Sequence, residues 1–471
     1  MKKALCLIIL LSLLPACVCG AEKGEDWNMS ILKTTGNHNP INVHDFGADP
    51  WAMVAGERVY VYMTGDEPVF DKNGNITENT YGNINTIRVV SSSDLVNWMH
   101  HAPVQAAGLT GAAKWARNSW APAVACKEID GKMKYFLYFA DSGNGIGVLS
   151  ADRPEGPYTD PIGKPLVSRK TPSCASVTWL FDPAVLVDGE DAYIYFGGGI
   201  PNGKAEDPGT ARVCRLGADM ISLDGDPVAF NPPWLFEDSG INRFGDSYCY
   251  SYCSNFNVPQ TGSAQGFSSG EIVYMTSDSP MGPFTYAGRV LYNPGSMFGV
   301  GGNNHHCMFT MNGKNYIAYH AAVVDKELKW NAGYRSTLID ELKMTEDGLP
   351  ALTRGSLKGV SRLMPVNPFV QREAAEYCYE SKIDLLYKEG KTAVTAKEEG
   401  AFIIVEGVDF ASGAEKLILE TEGEGEIAVY ADNRLLGSGN GEIAVNISGE
   451  VKALRFSFKT KGIVLRSWRA E

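Results

Sequence analysis

Apolar and polar residues alternate in short runs through most of the chain, and the runs come in pairs joined by glycine-containing turns. The pattern is clearest from Phe181 to Gly198. Phe181-Asp182-Pro183 leads into Ala184-Val185-Leu186-Val187, the chain turns at Asp188-Gly189, and a second run, Ala192-Tyr193-Ile194-Tyr195-Phe196, follows. Period-two alternation around an Asp-Gly pair predicts a β-hairpin opened by an acid.

Imperfect copies of this hairpin recur. Ala48-Asp49-Pro50-Trp51 precedes the turn Ala55-Gly56-Glu57 and the run Val59-Tyr60-Val61-Tyr62. Phe236-Glu237-Asp238-Ser239 precedes Gly245-Asp246 and Tyr248-Cys249-Tyr250. Trp120-Ala121-Pro122 leads through Asp130-Gly131 to Tyr135-Phe136-Leu137-Tyr138, and Asn304-His305-His306 leads through Asn312-Gly313 to Tyr316-Ile317-Ala318-Tyr319. The slot positions 49, 121, 182, 237 and 305 lie 55 to 72 residues apart, and in four copies the slot residue stands 11 residues before a tyrosine. Five such repeats predict an all-β, five-bladed β-propeller, whose innermost strands converge on one axis. Asp49, Asp182, Glu237, His305 and Ala121, flanked by Trp120, are therefore expected at one mouth.

Beyond the propeller, expected over 39–350, a linker (351–369) precedes a change of composition. Short alternating runs at Phe402–Val405, Lys416–Leu419, Glu426–Tyr430 and Leu454–Phe458, separated by glycine-rich turns, predict a β-sandwich of jelly-roll type over 370–471.

Composition narrows the function. With 44% hydrophobic and 10% aromatic residues the chain can bury a large core, and a net charge of −13 argues against nucleic acid as partner. Lys2-Lys3 followed by the apolar run Ala4 to Leu14 reads as an export signal over 1–20, with an exposed leader over 21–38. Leu14-Pro15-Ala16-Cys17 resembles a bacterial lipobox, which would put lipid on Cys17 and tether the protein to the outer membrane. Val18-Cys19-Gly20 reads equally as a small-residue cleavage site that releases it into the periplasm. Seven cysteines follow residue 20, an odd number without regular spacing, which predicts free thiols.

The acidic motifs Ala48-Asp49-Pro50, Phe181-Asp182-Pro183 and Phe236-Glu237-Asp238-Ser239, with Trp120-Ala121-Pro122 and Asn304-His305-His306 in order between and after them, resemble those of glycoside hydrolase family 43. That resemblance implies an inverting enzyme acting on arabinose- and xylose-containing polysaccharides, with Asp49 as general base, Glu237 as general acid and Asp182 as the residue that tunes and orients. Inversion suits such a set: an ionised carboxylate deprotonates water while a protonated one serves the leaving oxygen, about 6.5–9.5 Å away. The resemblance also implies that His305 holds a central calcium ion, directly or through water, and that no organic cofactor is needed. Trp120 would offer its face to the sugar or simply pack, and Arg335 would lie near the pocket or serve the scaffold. Val408-Asp409-Phe410-Ala411-Ser412-Gly413-Ala414 resembles carbohydrate-binding module family 6. The pairing implies release of α-L-arabinofuranose from arabinoxylan, with β-xylosidase action on xylo-oligosaccharides or non-catalytic glycan binding as alternatives.

Overall fold

In the computed structural model, which describes residues 32, 33 and 36–471, the first predicted hairpin opens a six-stranded antiparallel sheet, the next three each open a four-stranded one and the fifth a three-stranded one. The inner strands are Ala48–Ala55, Trp120–Ile129, Ala184–Asp188, Leu235–Phe244 and His306–Met311. The turns form where glycine or asparagine permits left-handed backbone. Asp130 and Gly131 have φ of 51° and 74°, and Asn312 and Gly313 have 51° and 74°, the geometry that matches strand twist in a two-residue hairpin loop.

The five sheets close into a ring through contacts between neighbours. Trp51 Nε1 donates to the Val124 carbonyl at 2.8 Å, Lys127 Nζ to the Glu190 carbonyl at 2.7 Å, and the Asp238 N–H to Asp182 at 2.8 Å. Asn242 Nδ2 donates to the Met308 carbonyl at 2.8 Å, and the Ala52 N–H to Cys307 Sγ at 3.4 Å. A cavity of about 280 Å³ on the axis is lined by Val54, Val124, Val185, Asn242 and Thr310, one from each inner strand. This is a five-bladed propeller. The segment from Asn39 to Gly47 seals its last blade: the Ile41 N–H donates to the Thr337 carbonyl at 2.9 Å and the Gly47 N–H to the Arg335 carbonyl at 3.0 Å.

The C-terminal region is a sandwich of two antiparallel sheets. One contains Ile383–Lys388, Lys391–Ala396, Val464–Ala470, Ala414–Glu422 and Glu442–Ile447; the other contains Tyr379–Ser381, Phe402–Asp409, Glu450–Phe458, Ile427–Ala431 and Arg434–Gly439. Phe456, Phe458 and Trp468 fill the space between them. Trp468, the sole tryptophan of this region, is 1% exposed, so it belongs to the core and offers no face to a sugar.

Two expectations need correction. Glu376–Tyr377, which leads into the sandwich in sequence, pairs instead with Trp98–His100 and becomes the outermost strand of blade 1. Its Glu376 makes a 2.9 Å ion pair with Arg58 of the same sheet. The described end of the leader is not exposed: Lys33 is buried, its amine donating to the His38 carbonyl at 2.6 Å. The linker is fastened towards both ends: the Thr353 N–H donates to the Val290 carbonyl at 2.7 Å and Val366 lies in the sandwich core. The seven cysteines Cys126 to Cys378 are free thiols. The export-signal and Cys17 readings lie outside the described residues.

Candidate active site

The slot residues owe their inward direction to strained backbone. Asp49, Ala121 and Asp182 have φ of 47°, 40° and 48°, a left-handed conformation that costs a non-glycine residue roughly 1–2 kcal/mol. Pairing registers slip between Ala48 and Trp51 and between Trp120 and Ala123, so the inner strand bulges there and re-aims the residue at its start. The bulge also presents a backbone N–H: that of Asp49 donates to His320 Nδ1 at 2.9 Å and that of Ala121 to Thr64 Oγ1 at 2.8 Å. In blade 4 the left-handed residue is Asp238 (φ 68°), one position beyond the expected slot, and the strand bulges on both sides of Glu237. The longer glutamate therefore reaches the mouth from one residue earlier.

Asp49, Asp182 and Glu237 are 5%, 5% and 8% exposed, and one imidazole lies among Asp49, Asp182 and Asp238. His305 Nδ1 lies 3.5 Å from Asp49 Oδ1 and 3.9 Å from Asp182 Oδ2, while its Nε2 lies 3.1 Å from Asp238 Oδ1. The neighbouring His306 holds the other oxygen of Asp238 at 2.6 Å and Ser251 Oγ at 2.8 Å. The mouth predicted from the repeats is thus formed, with Asp238, His320 and Asp66 added to it. All three escaped the sequence reading. Asp238 is hidden by the one-residue offset, and Asp66 and His320 lie at or just past the ends of second strands, which also converge on the axis.

Arg335 stands against the base side of the site. Its Nη1 donates to Asp49 Oδ1 at 3.0 Å, and its Nε and Nη2 donate to Asp66 Oδ2 and Oδ1 at 2.9 and 2.8 Å. The guanidinium carbon lies 4.7 Å from the centroid of Tyr81. Trp120 is half-buried at the rim, its Nε1 donating to the Tyr81 carbonyl at 3.0 Å. Arg335 therefore touches a carboxylate of the site rather than serving the surface.

The environments push the acids apart. Burial, the largest single influence, opposes ionisation of Asp49, but the Arg335 guanidinium and the neighbouring imidazoles together outweigh it and hold the carboxyl well below the usual range. His320 contributes little as a donor there, because its Nδ1 already accepts from the Asp49 N–H, leaving Nε2–H for Asn303. Burial keeps that imidazole neutral by lowering its pKa. Among the described residues, no cation contacts Glu237. Burial and the charges of Asp182 and Asp49 push it well above its ordinary value, and its Oε1 is buried without a hydrogen-bond partner among the described residues. Burial also pushes Asp182 up to about 7, against the opposing pull of His305.

A carboxyl raised in the folded state contributes stability that is full below its ordinary 3.8 and is lost as pH rises toward 7. Asp182→Asn cannot ionise, so thermal unfolding followed at pH 4 and pH 8 is expected to show the variant gaining on the wild type as pH rises; a constant gap would refute the assignment.

The residues present do not make a protein-ligated calcium site. Both nitrogens of His305 face carboxylates, burial is outweighed by those charges so that its pKa rises, and among the described residues no group of three or more His, Cys, Asp or Glu is arranged to hold a metal ion.

The sequence profile of glycosyl hydrolases family 43 matches residues 37–350, which include the inner strand of every propeller blade. The chain belongs to that family. Among relatives of this family 43 hydrolase, an arabinoxylan arabinofuranohydrolase of Paenibacillus polymyxa is 44% identical over 87% of this chain and 68% of its own length. One from Bacillus subtilis (strain 168) is 42% identical over 93% of this chain and 90% of its own. A crystal structure of a family 43 arabinoxylan arabinofuranohydrolase from Bacillus subtilis, in complex with cellotetraose, superposes with a TM-score of 0.87 at 40% identity, covering 93% of this chain and 98% of that one. An α-L-arabinofuranosidase from Clostridium thermocellum matches with a TM-score of 0.54 at 33% identity over 66% of this chain.

Proposed function

We propose that this glycoside hydrolase releases α-L-arabinofuranose from arabinoxylan with inversion. The observation that carries the reading is the opposed state of two carboxylates in one buried cluster. Asp49, held ionised by Arg335, is the general base that deprotonates the attacking water. Glu237, held protonated by burial and neighbouring charge, is the general acid, and its unpartnered Oε1 is free to meet the glycosidic oxygen. Asp182, bonded to the Asp238 N–H, keeps negative potential beside Glu237 and so preserves its proton. Trp120 lines the sugar subsite with its apolar face. The names of the two closely similar relatives support arabinose over xylose as the sugar removed.

Product analysis on wheat arabinoxylan tests this. Free arabinose with the xylan backbone left intact is the expected result; xylose as the main product would move the protein to the β-xylosidases, and no product from either arabinoxylan or xylo-oligosaccharides would leave a glycan-binding protein.

A further inference from the structure

Asp66 is fully buried and has no place in the acid–base scheme above. It lies two residues past the second strand of blade 1 (Arg58–Thr64), where Gly65 makes the approach possible: a Cβ on Gly65 would come within 2.4 Å of Thr86 Oγ1. Its two carboxylate oxygens take three donors from a single residue, the backbone N–H of Arg335 at 3.0 Å and the guanidinium Nε and Nη2. Those bonds use one edge of the planar fork. Nη1 is left on the other side, and it alone reaches Asp49. The Tyr81 ring covers the face of the guanidinium, so edge and face are both fixed before any substrate arrives.

We propose that Asp66 is a positioning residue for catalysis: by gripping the backbone and one edge of Arg335, it aims a single N–H at Asp49 and fixes the carboxylate that activates water. The inference rests on the assignment of Asp49 as general base. A bidentate carboxylate–guanidinium pair is directional as well as strong. Loss of the grip lets the arginine turn while its charge remains, and misplacement of a reacting group by a fraction of an ångström is enough to slow chemistry without weakening substrate binding.

A double-mutant cycle reads this out. Asp66→Asn, which replaces an acceptor facing Nη2 or Nε by an amide donor, is expected to lower kcat roughly 10-fold or more with KM for arabinoxylan oligosaccharides unchanged. Arg335→Lys is expected to lose at least as much. Because Asp66 acts through Arg335, adding Asp66→Asn to Arg335→Lys is expected to cost less than about twofold more. Additive losses, or a loss confined to KM, would overturn the proposal. If Asp66→Asn does not fold, Asp66→Glu keeps the charge but shifts the carboxylate by one methylene; a fall in kcat at constant KM supports the proposal and wild-type kcat overturns it. Asp49→Asn measured alongside keeps the two readings apart: retained turnover removes the base assignment and the proposal with it, whereas lost turnover with an additive cycle leaves the base standing and makes Asp66 part of the scaffold only.

Discussion

Glu237→Gln is expected to lower kcat on arabinoxylan by about 10²–10⁴-fold, the usual worth of a positioned proton donor. The side chain keeps its shape and volume and loses only the transferable proton, so the buried pocket is still filled. The loss should depend on the leaving group. A sugar alkoxide needs that proton, whereas a dinitrophenolate departs without one, so an activated aryl arabinofuranoside is expected to retain most of its wild-type rate. The variant should also lose the alkaline limb of the pH profile, since that limb reports ionisation of a carboxyl held well above its usual range. Equal losses on the two substrates would take the general-acid role away from Glu237.

Asp49→Asn is expected to cost as much, about 10²–10⁴-fold, but equally on both substrates, because a better leaving group does nothing to deprotonate water. The contrast between the two variants separates base from acid more cleanly than either number alone. Arg335 still finds an amide oxygen at the substituted position, so the geometry is preserved while the negative charge is not. In the wild type, Asp49 lies so far below the usual carboxylate range that activity should not fall on its account until strongly acidic pH. Preferential rescue of Asp49→Asn by the activated substrate would reverse the two roles.

What the sequence revealed was local in origin. The hairpins were legible because strand alternation and left-handed turn residues such as Asp130-Gly131 and Asn312-Gly313 act over a few neighbours. The acids were legible because the repeats could be laid over one another, and that overlay carried Asp49, Asp182, Glu237 and His305 to one mouth without any coordinates. The same overlay hid Asp238, since the double bulge of blade 4 moves the left-handed position by one residue. Asp66 and His320 have no counterpart in the repeated motif. What makes them matter is contact across 269 and 271 residues of chain, with Arg335 and Asp49 respectively. Packing also buried Lys33 at the end of a leader expected to be exposed, and it drew Val366 of the linker into the sandwich core.

The borrowed outer strand of blade 1 has a mechanical meaning. Glu376–Tyr377 is hydrogen-bonded into the very sheet whose first strand carries Asp49, while the strands on either side of it in sequence, Arg372–Glu373 and Tyr379–Ser381, pair within the sandwich, so the chain is stitched to the propeller between two sandwich strands. Two modules on a flexible string can sample a fibrous polymer independently. Here the stitch at Glu376–Tyr377 anchors one point of the sandwich to blade 1, so any foothold the sandwich offered would start from a fixed place beside the cutting edge.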